Sequence, residues 1–381
     1  MSLSRRKFLT ILGGGTVFAA SAGAGGFLAT RSPSKALQPW GLAGQYDEPR
    51  RRALSYAILA PNPHNRQPWL VDLSQKGRII VYVDPTKDLP HTDPFDRQIT
   101  IGLGCFLELT RLAAAQDGYR ADITPFPEGF DATMLDTRPV AIIDIVKDTS
   151  VTKDPLFAHV LERRSLKTPF DMTRPVGNAM LGALEDAVDG LTQVGSNNSQ
   201  DRLTQLRELT HSALTTELTT PATYKESVDL FRIGKAEANA NPDGLYIGGP
   251  MIDSLAAMGQ FSREIALDKD HYSYQMGIDA ALTPTMAAMA HVWIITDTNT
   301  RLDQLKAGAA YIRLNLAATA QGVGMHPHSQ ALQEYDAMQA HYGQLHQMIA
   351  PEGGRVQMLA ALGYGDKVTP TPRWPIEAKI L

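Results

Sequence analysis

The segment APNPHNRQPW, residues 60–69, ends an apolar run and crowds polar side chains between prolines. Leu54, Ala57 and Ile58 precede it at helical spacing, and Pro61 disfavours helical backbone at the residue before it. We therefore predict a helix that ends before Pro61 and a loop that follows it. The residues alone leave two interpretations open, an ordinary surface loop or a set of polar groups aimed at a flat, hydrogen-bonding partner.

The composition of the whole chain bounds the possibilities. Its 381 residues are 43% hydrophobic and carry a formal charge of -4, enough for one large domain or two ordinary ones. The near-neutral balance gives no electrostatic footprint for nucleic acid. Cys105 is the sole cysteine, so an intramolecular disulfide and a cysteine-based zinc site are excluded. Because Cys105 lies in the apolar run IGLGCFLEL, we expect it to be buried.

The N-terminal segment is typical of a targeting peptide. SRRKFL, residues 4–9, precedes an uncharged stretch rich in glycine and alanine. The pair Arg5 and Arg6 resembles the twin-arginine export signal, with an ordinary secretory signal or a membrane anchor as the alternative. We expect residues 1–36 to engage the Tat translocase and direct export to the periplasm, with a membrane anchor retained if cleavage fails. ASA at 20–22 and SKA at 34–36 are the candidate cleavage motifs.

The rest of the chain shows two similar halves. Residues 78–84, 139–146 and 290–298 are short, β-branched and apolar, which predicts buried strands. Residues 99–119 and 301–324 predict long helices closed by glycine. Each helix leads into an extended segment with proline, which indicates an internal duplication at roughly two hundred residues; chance similarity between alanine-rich helices is the alternative.

The predicted division follows from this repeat. We expect a first half at 45–150 and a second at 151–381, and we expect an insertion at about 221–285 that breaks the repeat. A long insertion of this kind is typical of a lid or a dimer contact.

Common catalytic motifs are missing from the sequence. It contains no Walker loop, Rossmann glycine motif, HExxH helix or GxSxG elbow. The HPH at 326–328 lacks an acidic partner nearby in sequence and favours hydrogen-bonding histidines over a metal site. LERRSLKTPF, residues 161–170, supplies forked donors and a hydroxyl suited to a phosphate, although basic clusters are usually solvated surface.

Three segments together resemble the nitroreductase-like flavoproteins. RRSLKTPF (163–170) resembles their RRSxRxF opening, APNPHNRQPW resembles APSxxNxQPW, and LGYGDKVTPTPRWP (362–375) resembles their closing segment. The QPW segment precedes the RRS segment here. That order, the length and the duplication resemble the Acg family of FMN-binding oxidoreductases, which are double-length relatives.

The resemblance implies an α+β fold, a tandem (fused pseudo-dimer) nitroreductase-like fold with central mixed or antiparallel sheets flanked by helices. It also implies one FMN site between the halves, because one half lacks the phosphate clamp and the other lacks the flavin-edge loop. The implied ligands of the FMN phosphate and ribityl chain are Arg163, Arg164, Ser165, Lys167 and Arg373. The implied neighbours of the isoalloxazine are Pro61, Asn62, Asn65, Gln67 and Gly324. The family usually has arginine at Lys167 and serine at Asn62.

In this family hydride passes between stacked donor and acceptor, so the resemblance implies no catalytic acid, base or nucleophile. The first hypothesis is an exported FMN-dependent oxidoreductase that uses a small-molecule electron donor and acceptor. The second is a non-enzymatic protein that binds or sequesters flavin beneath a lid. We expect a monomeric pseudo-dimer or a weak homodimer.

Overall fold

A four-stranded antiparallel sheet packed on one long helix forms the first half of the chain. The computed structural model describes residues 32–188 and 190–381, so most of the expected signal lies outside the described residues. The helices and strands of this half are α1 (Ser34–Leu42), α2 (Pro49–Ala57), β1 (Trp69–Asp72), β2 (Arg78–Val83), α3 (Arg97–Gln116), β3 (Tyr119–Pro125) and β4 (Ala141–Lys147). Its strands are ordered β1-β2-β4-β3.

The second half builds another four-stranded antiparallel sheet, ordered β5-β8-β10-β9. Its elements are α4 (Asn178–Asp186), β5 (Gln193–Asn197), α5 (Gln200–Thr219), α6 (Pro221–Asp229), β6 (Phe231–Ile233), α7 (Gly234–Ala240), β7 (Leu245–Ile247), α8 (Pro250–Ala257), α9 (Arg263–Leu267), α10 (Tyr272–Leu282), β8 (Ala290–Thr296), α11 (Arg301–Ala320), β9 (Gly324–Pro327), α12 (Gln339–Ile349) and β10 (Arg355–Gly363).

The two sheets have the same topology, so the predicted tandem fold is confirmed. In each four-stranded sheet the long helix joins the second strand of that sheet along the chain to the third, as β2-α3-β3 and as β8-α11-β9. The two helices begin at Arg97 and Arg301, 204 positions apart. The predicted strands and long helices therefore fall where the apolar runs placed them.

A pseudo-two-fold relation governs the contact between α3 and α11. Gly104 of α3 packs on the Leu305 carbonyl so closely that a Cβ would collide with it. Gly308 of α11 makes the equivalent approach to the Ile101 carbonyl. Both pairs repeat at the same offset of 204 positions, so the halves meet as two subunits of a symmetric dimer would.

Two buried arginines tie the halves together by crossing in opposite directions. Arg97, at the start of α3, donates to the carbonyl oxygens of Leu332 and Gln357 at 2.8 and 2.7 Å. Arg301, at the start of α11, donates to those of Phe95 and Asp131 at 2.8 and 3.1 Å. Each half therefore completes its packing with groups of the other.

The main hydrophobic core spans both halves, and it includes Trp69 and Cys105. The prediction that Cys105 is buried is confirmed, and burial raises the pKa of its thiol to about 12. The expected insertion lies within the connection between β5 and β8, residues 198–289. In the first half the equivalent strands, β1 and β2, are joined by a short turn. Within residues 32–188 and 190–381, no helix combines the length and apolar character needed to cross a bilayer.

Candidate functional site

The loop of residues 60–69 carries unusual backbone strain. His64, Asn65 and Gln67 have φ angles of 47, 54 and 50°, in the left-handed region that non-glycine residues rarely occupy. Such residues cost about 1–3 kcal/mol each and persist where the surroundings over-determine them, often at functional sites. The helix before the loop, α2, ends at Ala57, so the predicted stop before Pro61 is confirmed.

The side chains of Asn62 and Gln67 hold this loop. Asn62 Oδ1 accepts from the Gln67 backbone N–H at 2.7 Å. Gln67 is fully buried, donates from Nε2 to the Pro242 carbonyl at 2.6 Å and accepts from the Trp374 N–H at 2.9 Å. Both amides are engaged with backbone, so the structure gives these residues a role in fixing the loop. Pro61 is half-buried at its start.

Arg163 and Arg373 bring the other two sequence segments to the loop. Arg163 donates to the Leu59 carbonyl at 3.1 Å, and Arg373 donates to the same carbonyl at 3.3 Å. Arg373 also donates to Asn65 Oδ1, while Asn65 Nδ2 donates to the Pro372 carbonyl at 3.1 Å. Three segments that are distant in sequence therefore meet at one place.

Three arginines accumulate positive charge there. Burial lowers the pKa of Arg163 to about 10. The pKa of Arg373 is lowered to about 9, mainly by burial and to a smaller extent by repulsion from Arg163 and Arg164. Among the described residues no carboxylate lies within ion-pair distance of these three arginines. The exposed Glu162 attracts Arg164 at longer range and is itself 3.5 Å from His159. The Nε atoms of Arg164 and Arg373 have no hydrogen-bond partner. An anion would satisfy both the charge and the free donors.

An arginine also lies at the equivalent helix end in the other half. Arg313 donates to the carbonyl of Ala187, which caps α4 as Ile58 caps α2. Unlike the arginine cluster, Arg313 is paired with two carboxylates, Glu108 at 3.1 Å and Asp154 at 2.7 Å. The pseudo-symmetry therefore yields one arginine cluster with unmet charge and one closed ion-pair network.

Lys167 has its electrostatic partners outside the arginine cluster, at His64 of the loop, His326 of β9 and Glu217 of α5. Its side chain is exposed to solvent, and desolvation by the surrounding protein lowers its pKa. Its charge adds to the burial that lowers the pKa of His64 to about 3 and that of His326 well below its usual value. Lys167 also faces the buried Glu217 of α5, whose pKa burial raises to about 7.

Ser165 and Gly324 lie where the RRS segment crosses the edge of the second sheet. Ser165 forms a parallel bridge with Met325 of β9. A Cβ at Gly324 would collide with Leu166, so glycine permits the close approach of this segment. Gly324 thus positions the segment that carries Arg163 and Arg164.

The insertion covers the loop. The Gly244 N–H donates to the Asn65 carbonyl at 3.2 Å, and His64 Nε2 lies 2.9 Å from Ser227 Oγ. Asp243, buried in the insertion, pairs with Lys87 of the first half at 2.6 Å. These contacts seat residues 227–244 directly on the strained loop.

Sequence reasoning missed two residues at this site. Trp40 of α1 lies over the arginines, and Lys379 donates to the Gln67 carbonyl at 2.7 Å. The aromatic residue in LQPWG, residues 37–41, was the available signal for Trp40. Within the described ranges no group of three or more histidine, cysteine or acidic side chains is arranged to hold a metal ion.

Comparison with known proteins confirms the resemblance to nitroreductases. No protein-family model matches the chain. An uncharacterized Mycobacterium tuberculosis protein is 26% identical over 86% of this chain and 91% of its own length. A second M. tuberculosis protein, provisionally named NAD(P)H nitroreductase, is 25% identical over 86% of this chain and 92% of its own. The M. tuberculosis acg protein, named in the same way, is 28% identical over 32% of this chain and 35% of its own.

Solved structures give distant likenesses. A nitroreductase of Desulfitobacterium hafniense with bound FMN has a TM-score of 0.37 and 14% identity, covering 60% of this chain and 98% of that one. A protein from Anabaena variabilis described as a nitroreductase has a TM-score of 0.36 and 14% identity, covering 87% of this chain and 91% of that one.

Proposed function

We propose that the protein is an FMN-dependent oxidoreductase of the nitroreductase-like type, with one FMN bound between its two halves. The observation that carries this proposal is the cluster of Arg163, Arg164 and Arg373, which forms no ion pair with any described residue and adjoins a strained loop of the first half. The names of the relatives, which include NAD(P)H nitroreductases, agree with it.

The residues present fit the cofactor. The free Nε donors of Arg164 and Arg373, with the guanidinium of Arg163 and the hydroxyl of Ser165, would hold the phosphate and the adjoining chain. Lys167 would stabilise negative charge at the other end of the site. The loop fixed by Asn62, Asn65 and Gln67 would border the ring. When bound, FMN supplies hydride and electron transfer between a small-molecule donor and acceptor.

Flavin binding is tested by the visible absorption of the purified protein, followed by titration with FMN. We expect a yellow protein, or a colourless one that takes up added FMN. A colourless protein that takes up none overturns the proposal, because the arginine cluster would then serve another anion.

The second candidate function is flavin binding without turnover, and the covering insertion favours it. Gln67 and Asn65 are both hydrogen-bonded to residues 242–244, so a nicotinamide donor would have to displace these contacts. The two functions are separated by mixing the flavin-loaded protein with NADPH under anaerobic conditions. Rapid bleaching of the flavin supports the oxidoreductase, whereas bleaching by dithionite alone supports sequestration.

The ion pairs of Asp243 allow a sharper version of this experiment. Asp243→Asn weakens the contact with Lys87 and with Arg232, at 2.6 and 2.7 Å, and should speed bleaching by NADPH if the insertion is a lid. Asp229→Asn is the matched control, since Asp229 pairs within the insertion, with the exposed Lys225. Equal rates in both variants and the parent would contradict a lid.

We also propose export by the Tat translocase to the periplasm, with membrane anchoring if the signal is retained. The support is the motif at residues 4–9. Replacing Arg5 and Arg6 together by lysine should hold the protein in the cytoplasm. Unchanged fractionation of that variant would argue for another route.

A further inference from the structure

Trp40 of α1 lies against two arginines of the cluster. The Arg164 guanidinium is 4.5 Å from the centre of the Trp40 ring and that of Arg373 is 5.7 Å away. The indole N–H donates to the Thr371 carbonyl at 2.9 Å, and the side chain is 8% exposed. A buried indole that is fixed by its own hydrogen bond therefore faces two arginines that form no ion pair with any described residue.

Helix α1 is docked by its backbone as well. The Arg373 N–H donates to the Ala36 carbonyl at 2.8 Å. The Ala36 N–H donates to Asn239 Oδ1 of the insertion at 3.0 Å. The first turn of α1 thus bridges the arginine that contacts the loop and the segment that covers the loop.

The contact of Trp40 with Arg164 and Arg373 offsets the repulsion between the two arginines. The guanidinium groups of Arg164 and Arg373 repel one another, and the negative face of an indole attracts both. Trp40 therefore holds the side chains in place while the site has no anion. A helix that stabilises the binding arrangement must in turn be stabilised by the bound anion, because coupling between two sites is reciprocal.

We propose that Trp40 is a positioning residue of the anion site and that occupancy of the site fixes α1 to the body of the protein. This inference rests on the proposed function, with the FMN phosphate as the anion. It adds a part of the chain that none of the three motifs includes. It also bears on the signal: cleavage at 34–36 would remove the first turn of α1, whereas cleavage at 20–22 would leave the helix whole.

The first test compares FMN with riboflavin, which lacks the phosphate. Trp40→Leu should raise the Kd for FMN on the order of 5- to 30-fold through the loss of two cation–π contacts, with little change for riboflavin. Trp40→Phe should retain most of the affinity. Trp293→Leu is the matched control, because Trp293 of β8 packs on apolar side chains of α5, α12 and β10, a cluster that includes none of the three arginines. The ratio of FMN to riboflavin affinity of this variant should equal the parent's.

The second test needs no variant. Trypsin cleavage after the exposed Lys35 of α1 should slow in excess FMN and not in riboflavin, while cleavage after the exposed Lys153 serves as the internal control. An unchanged ratio of FMN to riboflavin affinity in Trp40→Leu, or a rate of cleavage at Lys35 that FMN does not change, overturns this inference and leaves the proposed function standing. A parent protein that binds no FMN overturns the proposed function instead.

Discussion

Arg164→Ala tests the arginine cluster with little disturbance of the fold. The Arg164 side chain is half-buried and donates to the carbonyl oxygens of Leu161 and Arg163 at 2.9 and 2.7 Å, while its Nε is free. A hydrogen bond between charged groups contributes about 1.5–3 kcal/mol. Loss of this contact should therefore raise the Kd for FMN by about 10- to 150-fold.

The assay is a fluorescence titration with FMN and, in parallel, with riboflavin. Because riboflavin carries no phosphate, its Kd should stay within about twofold of the parent value, well under 1 kcal/mol. Arg174→Ala is the matched control, since Arg174 is an exposed arginine that stacks on Tyr364 at 3.7 Å and lies outside the cluster. The reasoning is refuted if Arg164→Ala leaves FMN binding unchanged, or if it weakens both ligands by the same factor.

Other predictions concern stability, measured by urea unfolding. Burial raises the pKa of Glu217 from 4.5 to about 7, so the stability that its protonated carboxyl contributes is present below pH 4.5 and is lost as pH rises through 7. Over this range the free energy of unfolding of the parent should fall by about 3 kcal/mol relative to that of Glu217→Gln. Equal pH profiles of the two proteins would contradict this. Burial lowers the pKa of His328 from 6.5 to about 4, so the stability that the neutral imidazole contributes is present above pH 6.5 and is lost as pH falls through 4. His328→Gln should therefore lessen the loss of stability between pH 6.5 and 4 by about 3 kcal/mol. The same loss in variant and parent would mean that other groups cause the acid sensitivity. Gly308→Ala should destabilise the fold by about 1–3 kcal/mol, because the new Cβ would collide with the Ile101 carbonyl. Gly343→Ala is the control, since there is open space around Gly343. An unchanged stability of Gly308→Ala would contradict the close contact between the two helices.

The scaffold was predictable because its signals are local. β2 and β8 follow from short apolar runs. The long helices α3 and α11 follow from apolar and small residues at helical spacing with a glycine after the last turn, and Gly118 and Gly322 have the positive φ expected there. The duplication could be read from two such helices at a constant offset. Local composition sufficed because each of these elements contributes most of its apolar side chains to one shared core.

The site was predictable only in part, because its bonding is long-range. The loop and the RRS segment were found from their residues, yet the engagement of Gln67 with Pro242 joins positions 175 apart. Nothing near Gln67 in sequence indicates that its amide is used by the insertion. Trp40 was missed for the same reason: its partners, Arg164 and Arg373, lie far along the chain.

The number of flavins bound per chain tests the central claim most directly. The strand topology repeats, but among the described residues no carboxylate pairs with the arginine cluster around Arg373, whereas Arg313 is paired with Glu108 and Asp154. Isothermal titration of the flavin-free protein with FMN, with the flavin content of the product measured by absorbance, should give one FMN per 381-residue chain. Two FMN per chain, or none, would contradict a single site assembled from both halves.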